Sequence, residues 1–441
     1  MKEIIRAPRG TQDILPGETS KWQWIERAAL ESAATFGFEE IRVPTFEYTG
    51  LYSRSVGETT DVVQKEMFTF TDRGNRSLSL RPEGTAGVLR ASIENGLLSG
   101  ALPLKLCYIL SCFRNERPQA GRFKEFYQFG VEMLGSKSPL ADAEVICLAD
   151  HFFKKLGIRG LSLQINSIGC RACRPRYHQA LREYFNRYEN SLCETCKERL
   201  LKNPLRILDC KNPDCAALTA QAPRILDYLC DDCESHFQKV QQNLQDLQIE
   251  FQVDAGIVRG LDYYTKTVFE FISNDLGAQS TLCGGGRYDG LVEEMGGPAL
   301  EGLGFAMGLE RLLMVMEKQK TVFPDATECM LYLGSRGEEA ARRAACICGE
   351  LREEGFCVSF DVLERSVKAQ MKYANKIGAA YAAIIGEEEL SSGKIQLKRM
   401  ADGQSKTVEL QCLKEEMYQA QLDQFAEKIA QEDLCDEALD R

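Results

Sequence analysis

"LKLCYILSCFRNERPQAGRFKEFYQFGVEML", residues 104–134, decides the architecture. Two runs, 104–113 and 125–134, have the length and apolar content of strands, and a polar loop joins them. Successive strands with so short a link form an antiparallel sheet. On the second run Phe126, Gln128, Gly130 and Glu132 share one face, since side chains alternate along a strand. A ring, an amide, a gap and a carboxylate make a poor core and a good pocket wall. The loop contributes Arg114, Glu116, Arg117, Gln119, Arg122 and Lys124. Arginine forks match the paired oxygens of phosphates and carboxylates, although a hairpin with a solvated, charged turn carries the same residues.

Outward from this hairpin the pattern repeats. Residues 18–36 hold Trp22, Ile25, Ala29 and Phe36 at helical spacing, and Gly37 ends the run. "FEEIRVPTFE" (38–47) reads as a strand closed by Pro44, "FTFTD" and "SLSLRP" as a short hairpin, and "EGTAGVLRASIENG" as a helix. Residues 140–157 read as a helix and "GLSLQINSIG" as a strand. The expected fold is therefore α+β, an antiparallel sheet flanked by helices. Residues 1–167 form the first part of that core, 168–252 a Cys-rich helical insertion and 253–320 the second part. From 326 to 441 strands alternate with helices, which predicts a separate doubly wound α/β domain after the linker "KTVFPDATE" (320–328).

Composition narrows the function classes. The chain has 441 residues, 44% of them hydrophobic, which leaves room for two or three domains. No apolar run is long enough to span a bilayer, and the first residues lack a signal-peptide pattern, so a cytoplasmic protein without membrane contact is expected. A net charge of -11 argues against a protein coated in nucleic acid, yet allows local basic footprints at 114–124 and 394–406. The tail "AEKIAQEDLCDEALDR" is mostly acidic.

Three further stretches carry polar groups where core residues would be expected. "LRPEGT" (80–85) sets Glu83 and Thr85 at a helix start, where they suit a first turn or hold a substrate amine. "RGLDYYTKTVFEF" (259–271) alternates as a strand from Thr265 but opens with Arg259, Tyr263 and Tyr264. "GLGFAMGLERLLMVME" (302–317) is a weak match to a dinucleotide fingerprint, because its glycine spacing differs; its glycines let a strand pass beneath a planar ligand, with Arg311 rising from the next helix.

Of 18 cysteines, eight fall in four close pairs: Cys170 and Cys173, Cys193 and Cys196, Cys210 and Cys215, Cys230 and Cys233. Three C-x-x-C pairs and one C-x-x-x-x-C pair suffice for one or two tetrahedral structural zinc sites. Free thiols account for the same spacing, and which pairs would share an ion is open at this level.

Taken together, these motifs resemble a known family. "RNERPQAGRFKEFYQ" and "GFAMGLERL" are similar to motifs 2 and 3 of class II aminoacyl-tRNA synthetases, and "IRVPTFE" to motif 1. "RGTQDILP", "LRPEGTA", "RGLDYYTKTVFEF" and "CGGGRYDGL" narrow the resemblance to the histidyl-tRNA synthetases, over residues 6 to 410. The resemblance implies a ligase of protein biosynthesis that activates L-histidine with ATP and Mg²⁺ and transfers it to the 3' end of tRNA(His). It implies Arg114, Arg259 and Arg311 as catalytic residues, with Arg259 doubling in the amino-acid pocket. It implies Arg114, Glu116, Arg122, Phe126 and Arg311 around ATP. Glu83, Thr85, Gln128, Glu132, Tyr263 and Tyr264 would hold histidine, with Glu132 and Tyr264 on the imidazole; Arg117 and Gln119 would meet the tRNA acceptor end. It further implies a homodimer through motif 1, and an anticodon-binding function for the C-terminal domain. The alternative is a histidine-sensing regulatory subunit of ATP phosphoribosyltransferase, which shares the fold; such subunits generally lack the extra domain and blur the ATP-binding arginines.

Overall fold

The structure, a computed structural model, describes residues 4–57, 60–210, 212–276, 281–324, 329–423 and 426. Residues 325–328 of the expected linker, the "QS" that opens "QSTLC" and the acidic tail from 427 lie outside the described residues. The chain divides into two compact units, Met1–Pro324 and Asp325–Arg441.

The first unit is built on eight strands: β1 (Glu39–Glu40), β5 (Leu104–Phe113), β6 (Glu125–Leu134), β7 (Leu161–Ser167), β8 (Gln252–Val253), β9 (Thr265–Ser273), β10 (Thr281–Arg287) and β11 (Gly302–Gly308). Their order is β1-β5-β6-β11-β10-β9-β7-β8, antiparallel throughout the six central strands and parallel at the two edges. A separate three-stranded antiparallel sheet holds β2 (Phe46–Tyr48), β3 (Thr69–Thr71) and β4 (Ser77–Leu80).

Alternation along β6 sorts its residues as the sequence predicts. Phe129, Val131 and Met133 are fully buried against the helices Thr19–Thr35 and Pro139–Lys155, joining Trp22, Ile25, Val145, Ile146 and Phe152 in one core. The opposite face carries Gln128 and Glu132, also buried although polar. Burial of polar groups costs free energy unless they are hydrogen-bonded, so this face answers to something other than packing.

One expected strand is different. "FEEIRVPTFE" is not a single strand: Glu39–Glu40 pairs with β5, and Phe46–Tyr48 belongs to the small sheet. Pro44 cannot donate to a ladder. The buried Arg81 instead donates to the carbonyls of Val43 (2.7 Å) and Pro44 (3.1 Å) and to the hydroxyl of Ser111 (3.1 Å), holding the crossing between the sheets.

Among the described residues the insertion leaves after β7 as four α-helices, Arg174–Asn186, Glu194–Lys202, Pro213–Thr219 and Asp231–Asp246, with short 3-10 turns between them. Tyr177, Leu181, Phe185, Leu200, Ile207 and Ile225 give it a core of its own. Its last helix turns Phe237, Val240 and Leu244 into the main core, so the insertion is anchored through that helix.

The second unit has β12 (Leu331–Ser335), β13 (Val358–Phe360), β14 (Tyr381–Ile385), β15 (Lys394–Arg399) and β16 (Ser405–Glu409), in the order β13-β12-β14-β15-β16. The first three are parallel, and β15 and β16 add an antiparallel edge. On β15 Ile395 and Leu397 face the core while Lys394 and Gln396 are exposed, which is the period-2 signature of a half-covered edge.

Candidate active site

The polar face of β6 forms the floor of a cavity of about 250 Å³. It is walled by the start of the Thr85–Glu94 helix, the "RGLDYY" loop, β10, β11 and the start of the Leu309–Lys318 helix. A wider cleft of about 670 Å³ opens beside it and shares Arg114, Glu116, Arg122, Arg259 and Arg311 with it.

Glu132 lies deepest. It is 1% exposed, and burial pushes its carboxyl up to about 8, against hydrogen bonds from Tyr288, Thr85 and Tyr108 that favour the charged form. Tyr108 donates to Oε1 (3.1 Å) and Tyr288 to Oε2. The gap at Gly130 is filled by the Tyr108 ring from the paired position on β5: a Cβ at Gly130 would stand 2.4 Å from the phenol oxygen. The sequence reading gave Tyr264 a place beside Glu132. In the structure the hydroxyls that hold Glu132 come from Tyr108 and Tyr288, while the Tyr264 ring lies 5.6 Å from the Arg259 guanidinium.

Next to this acid sit the groups expected for an amino-acid head. Glu83 is buried and both its oxygens accept from backbone, Oε2 from Thr85 N–H (2.8 Å) and Oε1 from Ala86 N–H (2.8 Å). The carboxylate thus caps its own helix and keeps lone pairs for a second partner. Burial raises its pKa above the ordinary carboxylate value. Gln128 is fixed by Gly84 N–H on its Oε1 (3.0 Å), and Tyr263 packs against Tyr288 at 5.6 Å between ring centres.

The arginines line the same cavity. Arg114 donates from Nε to the Pro82 carbonyl (2.9 Å) and lies over the Phe126 ring at 5.4 Å. Arg122 is held by Glu116 (2.6 Å) and Arg311 by the Thr281 carbonyl (2.6 Å). Arg259 pairs with Glu270, whose other oxygen accepts from Thr281 Oγ1 (2.7 Å); the Arg259 Nε is buried with no hydrogen-bond partner among the described residues. Such a donor, left over after the pairing, is available to an anion entering the cavity. Glu310 accepts from Tyr127 N–H (2.8 Å) on one oxygen and leaves the other bare among the described residues; burial pushes its carboxyl up to about 7.

Every residue the sequence placed in the histidine and ATP sites therefore lines one cavity. Arg117 and Gln119 do not: both are exposed on the loop, whose tip is closed by the Gln119 and Arg122 backbones at 2.9 and 3.2 Å. Tyr108, Tyr288, Glu270 and Glu310 were missed as site residues. Tyr288 stood in the quoted "CGGGRYDGL". Its neighbour Arg287 has another part: fully buried, it binds Asp142 at 2.7 Å and the carbonyls of Ser136 and Ser138 at 2.7 and 2.8 Å.

The sequence pattern of a family described as "Histidyl-tRNA synthetase" matches residues 10–312, and one described as "Anticodon binding domain" matches residues 329–420. The chain belongs to the histidyl-tRNA synthetase family. It is 50% identical to the "Histidine--tRNA ligase" of Acetivibrio thermocellus over 410 residues, covering 93% of this chain and 98% of that protein. It is 49% identical to the protein of the same description from Clostridioides difficile over 417 residues, with 94% and 99% covered. The crystal structure of apo S. aureus histidyl-tRNA synthetase superposes with a TM-score of 0.81 at 38% identity, over 94% of this chain and all of that one. A structure titled as an ATP phosphoribosyltransferase regulatory subunit/histidyl-tRNA synthetase from Bacillus halodurans shares the fold, with a TM-score of 0.63 at 24% identity.

Proposed function

We propose that this chain is a cytoplasmic histidine-tRNA ligase, which activates L-histidine with ATP and esterifies it to tRNA(His). The observation that carries this is the meeting, in one cavity, of a buried acid bracketed by two tyrosine hydroxyls with three arginines. Glu132, steered by Tyr108 and Tyr288, holds the imidazole nitrogens, with Tyr264 on the wall of the same pocket. Glu83, Thr85 and Gln128 take the α-amino group, and Tyr263 packs the pocket side. A site that satisfies both ring nitrogens rejects an apolar isostere by roughly 10⁴ or more, because its own polar groups would be left unpaired.

In the first step a histidine carboxylate oxygen attacks the α-phosphorus of ATP, and the bond to the bridging oxygen of pyrophosphate breaks. Negative charge spreads over phosphate oxygens, so fixed cations do most of the work. Arg114 and Arg259 grip the α-phosphate, Arg311 the γ-phosphate, Phe126 stacks on the base, and Glu116 sets Arg122 toward the nucleotide. Glu310, whose second oxygen has no hydrogen-bond partner among the described residues, is a hard oxygen ligand on this wall that would hold Mg²⁺, and the ion would neutralise phosphate charge. In the second step a hydroxyl of the tRNA's terminal ribose attacks the acyl carbon and AMP leaves. Arg117 and Gln119, exposed at the loop tip, meet the acceptor end, and the second unit reads the anticodon.

A homodimer is part of the reading, supported by the open face of the small sheet, where Phe46, Tyr48 and Phe70 are 52%, 57% and 44% exposed. The test is pyrophosphate exchange into ATP with each of the twenty amino acids, followed by charging of tRNA(His). Exchange with histidine alone, and charging, are expected; histidine binding without exchange would refute it.

A further inference from the structure

The eight paired cysteines resolve into two groups of four, each with its sulfurs within 4.8 Å of one another: Cys170, Cys173, Cys230 and Cys233, and Cys193, Cys196, Cys210 and Cys215. Measured contacts are 3.7 Å for Cys170 to Cys173, 3.9 Å for Cys170 to Cys230 and 3.8 Å for Cys193 to Cys210. Four sulfurs each about 2.3 Å from a tetrahedral ion must sit about 3.8 Å apart, whereas a disulfide requires about 2.0 Å. The spacing is that of thiolates around one ion.

The surroundings repeat between the two groups, which incidental thiols have no reason to do. Cys230 N–H donates to Cys173 Sγ at 3.2 Å, and Cys193 N–H donates to Cys215 Sγ at 3.3 Å. In each group two sulfurs are buried and two half-buried. Cys193 and Cys230 immediately precede helices, with Cys196 and Cys233 in the first turns, so the positive helix ends face the sulfurs.

We propose that the insertion binds two structural zinc ions, one in each group. Four sulfurs leave no open position, so neither ion is catalytic. The first ion clamps the exit of the insertion after β7 to its return at the Asp231–Asp246 helix, which is seated in the main core. The second holds the frame of the Glu194–Lys202 helix and the turn after it. From that frame Arg199 reaches Asp61 (2.9 Å), and Arg206 reaches Asp262 (3.1 Å) and the Gly260 carbonyl (2.7 Å). Gly260 and Asp262 follow Arg259 in the same loop. The second ion thus braces the active site from outside, a consequence that rests on the proposed ligase activity, whereas metal content does not.

The test is elemental analysis of the full chain, purified under reducing conditions without chelator. Two equivalents of zinc are expected, with all eight thiols protected from alkylation until a mercurial displaces the metal. Less than about a tenth of an equivalent, recovery of the pairs as disulfides, or iron in place of zinc would overturn the assignment. One equivalent would overturn the two-ion assignment, and the double variants then show which group holds the ion. The double variants Cys170→Ser/Cys173→Ser and Cys193→Ser/Cys196→Ser should each retain one ion. Because a variant can fail to fold, cadmium NMR of the otherwise unaltered protein gives an independent reading: two all-sulfur resonances are expected, and a shift indicating oxygen or nitrogen ligands would refute the ligand sets. Zinc-depleted protein should lose roughly tenfold or more in histidine-dependent exchange, as for other outer supports of a site; full exchange would refute the bracing role.

Discussion

Replacing Glu132 by Gln separates what the residue does for the fold from what it does for the ligand. Burial lifts its carboxyl from an ordinary 4.5 to about 8. Below about pH 4.5 both folded and unfolded chains hold the proton and the site costs nothing. As pH rises toward 8 the unfolded chain releases its proton while the folded one retains it, so stability falls across that window and levels off above it. At about 1.36 kcal/mol per pH unit, the interval between 4.5 and about 8 amounts to roughly 4 to 5 kcal/mol, an upper figure because a buried carboxylate recruits water and relaxes. Gln cannot ionise, keeps the volume, and still accepts from one tyrosine hydroxyl. The variant should therefore match the parent protein near pH 5 and melt several degrees higher near pH 9, at about 2–4 °C per kcal/mol for a unit of this size.

The same change should damage recognition. Leaving a buried hydrogen-bonding partner on the imidazole unsatisfied costs about 1–3 kcal/mol, so KM for histidine should rise roughly 5- to 150-fold while KM for ATP barely moves. The assay is a set of thermal unfolding curves between about pH 5 and pH 9 without ligand, paired with pyrophosphate exchange. Parallel stability curves for the two proteins would refute the buried, protonated acid. Equal rises in both KM values would refute its place on the imidazole.

Other expectations follow from the same geometry. Arg259→Ala should cut adenylate formation by more than about 10²; near-normal exchange would remove the residue from the charge-stabilising set. Gly304→Ala would set a Cβ 2.1 Å from the Val131 carbonyl oxygen and 2.3 Å from Glu132 Oε2. Backbone cannot swing aside, so a loss of about 1–3 kcal/mol in denaturant unfolding is expected together with a raised histidine KM, and an unchanged midpoint would contradict the close packing of β6 on β11. Asp142→Asn takes from the fully buried Arg287 the closer of its charge partners, leaving Asp289 at 3.5 Å, and should cost about 3–5 kcal/mol, measured by urea unfolding, whereas a cost below about 1 kcal/mol would show the pair to be dispensable.

Much of the site was legible one strand at a time. The alternation of Phe126, Gln128, Gly130 and Glu132 is a property of consecutive residues, and it predicted a pocket wall before any neighbour was known. The polar opening of "RGLDYY" and the arginines of the 114–124 loop stood out for the same reason: they are groups that a core would not keep. What alternation could not supply was the partner of each group. Pro44, read as the end of one strand, marks a crossing between two sheets, because its carbonyl and that of Val43 are taken by Arg81 from a distant turn.

The sequence by itself determined the period of each element, the face each side chain takes and the motifs that mark the family, since these depend on residues a few positions apart. Only the tertiary structure decided that Glu132 is held by Tyr108, 24 positions away, and by Tyr288, 156 positions away. It alone assigned Glu270 to Arg259 across β9 and sorted four cysteine pairs into two clusters. The physical reason is common to all of these: strand register and the return path of the insertion set which distant atoms meet, and no local pattern of residues carries that distance.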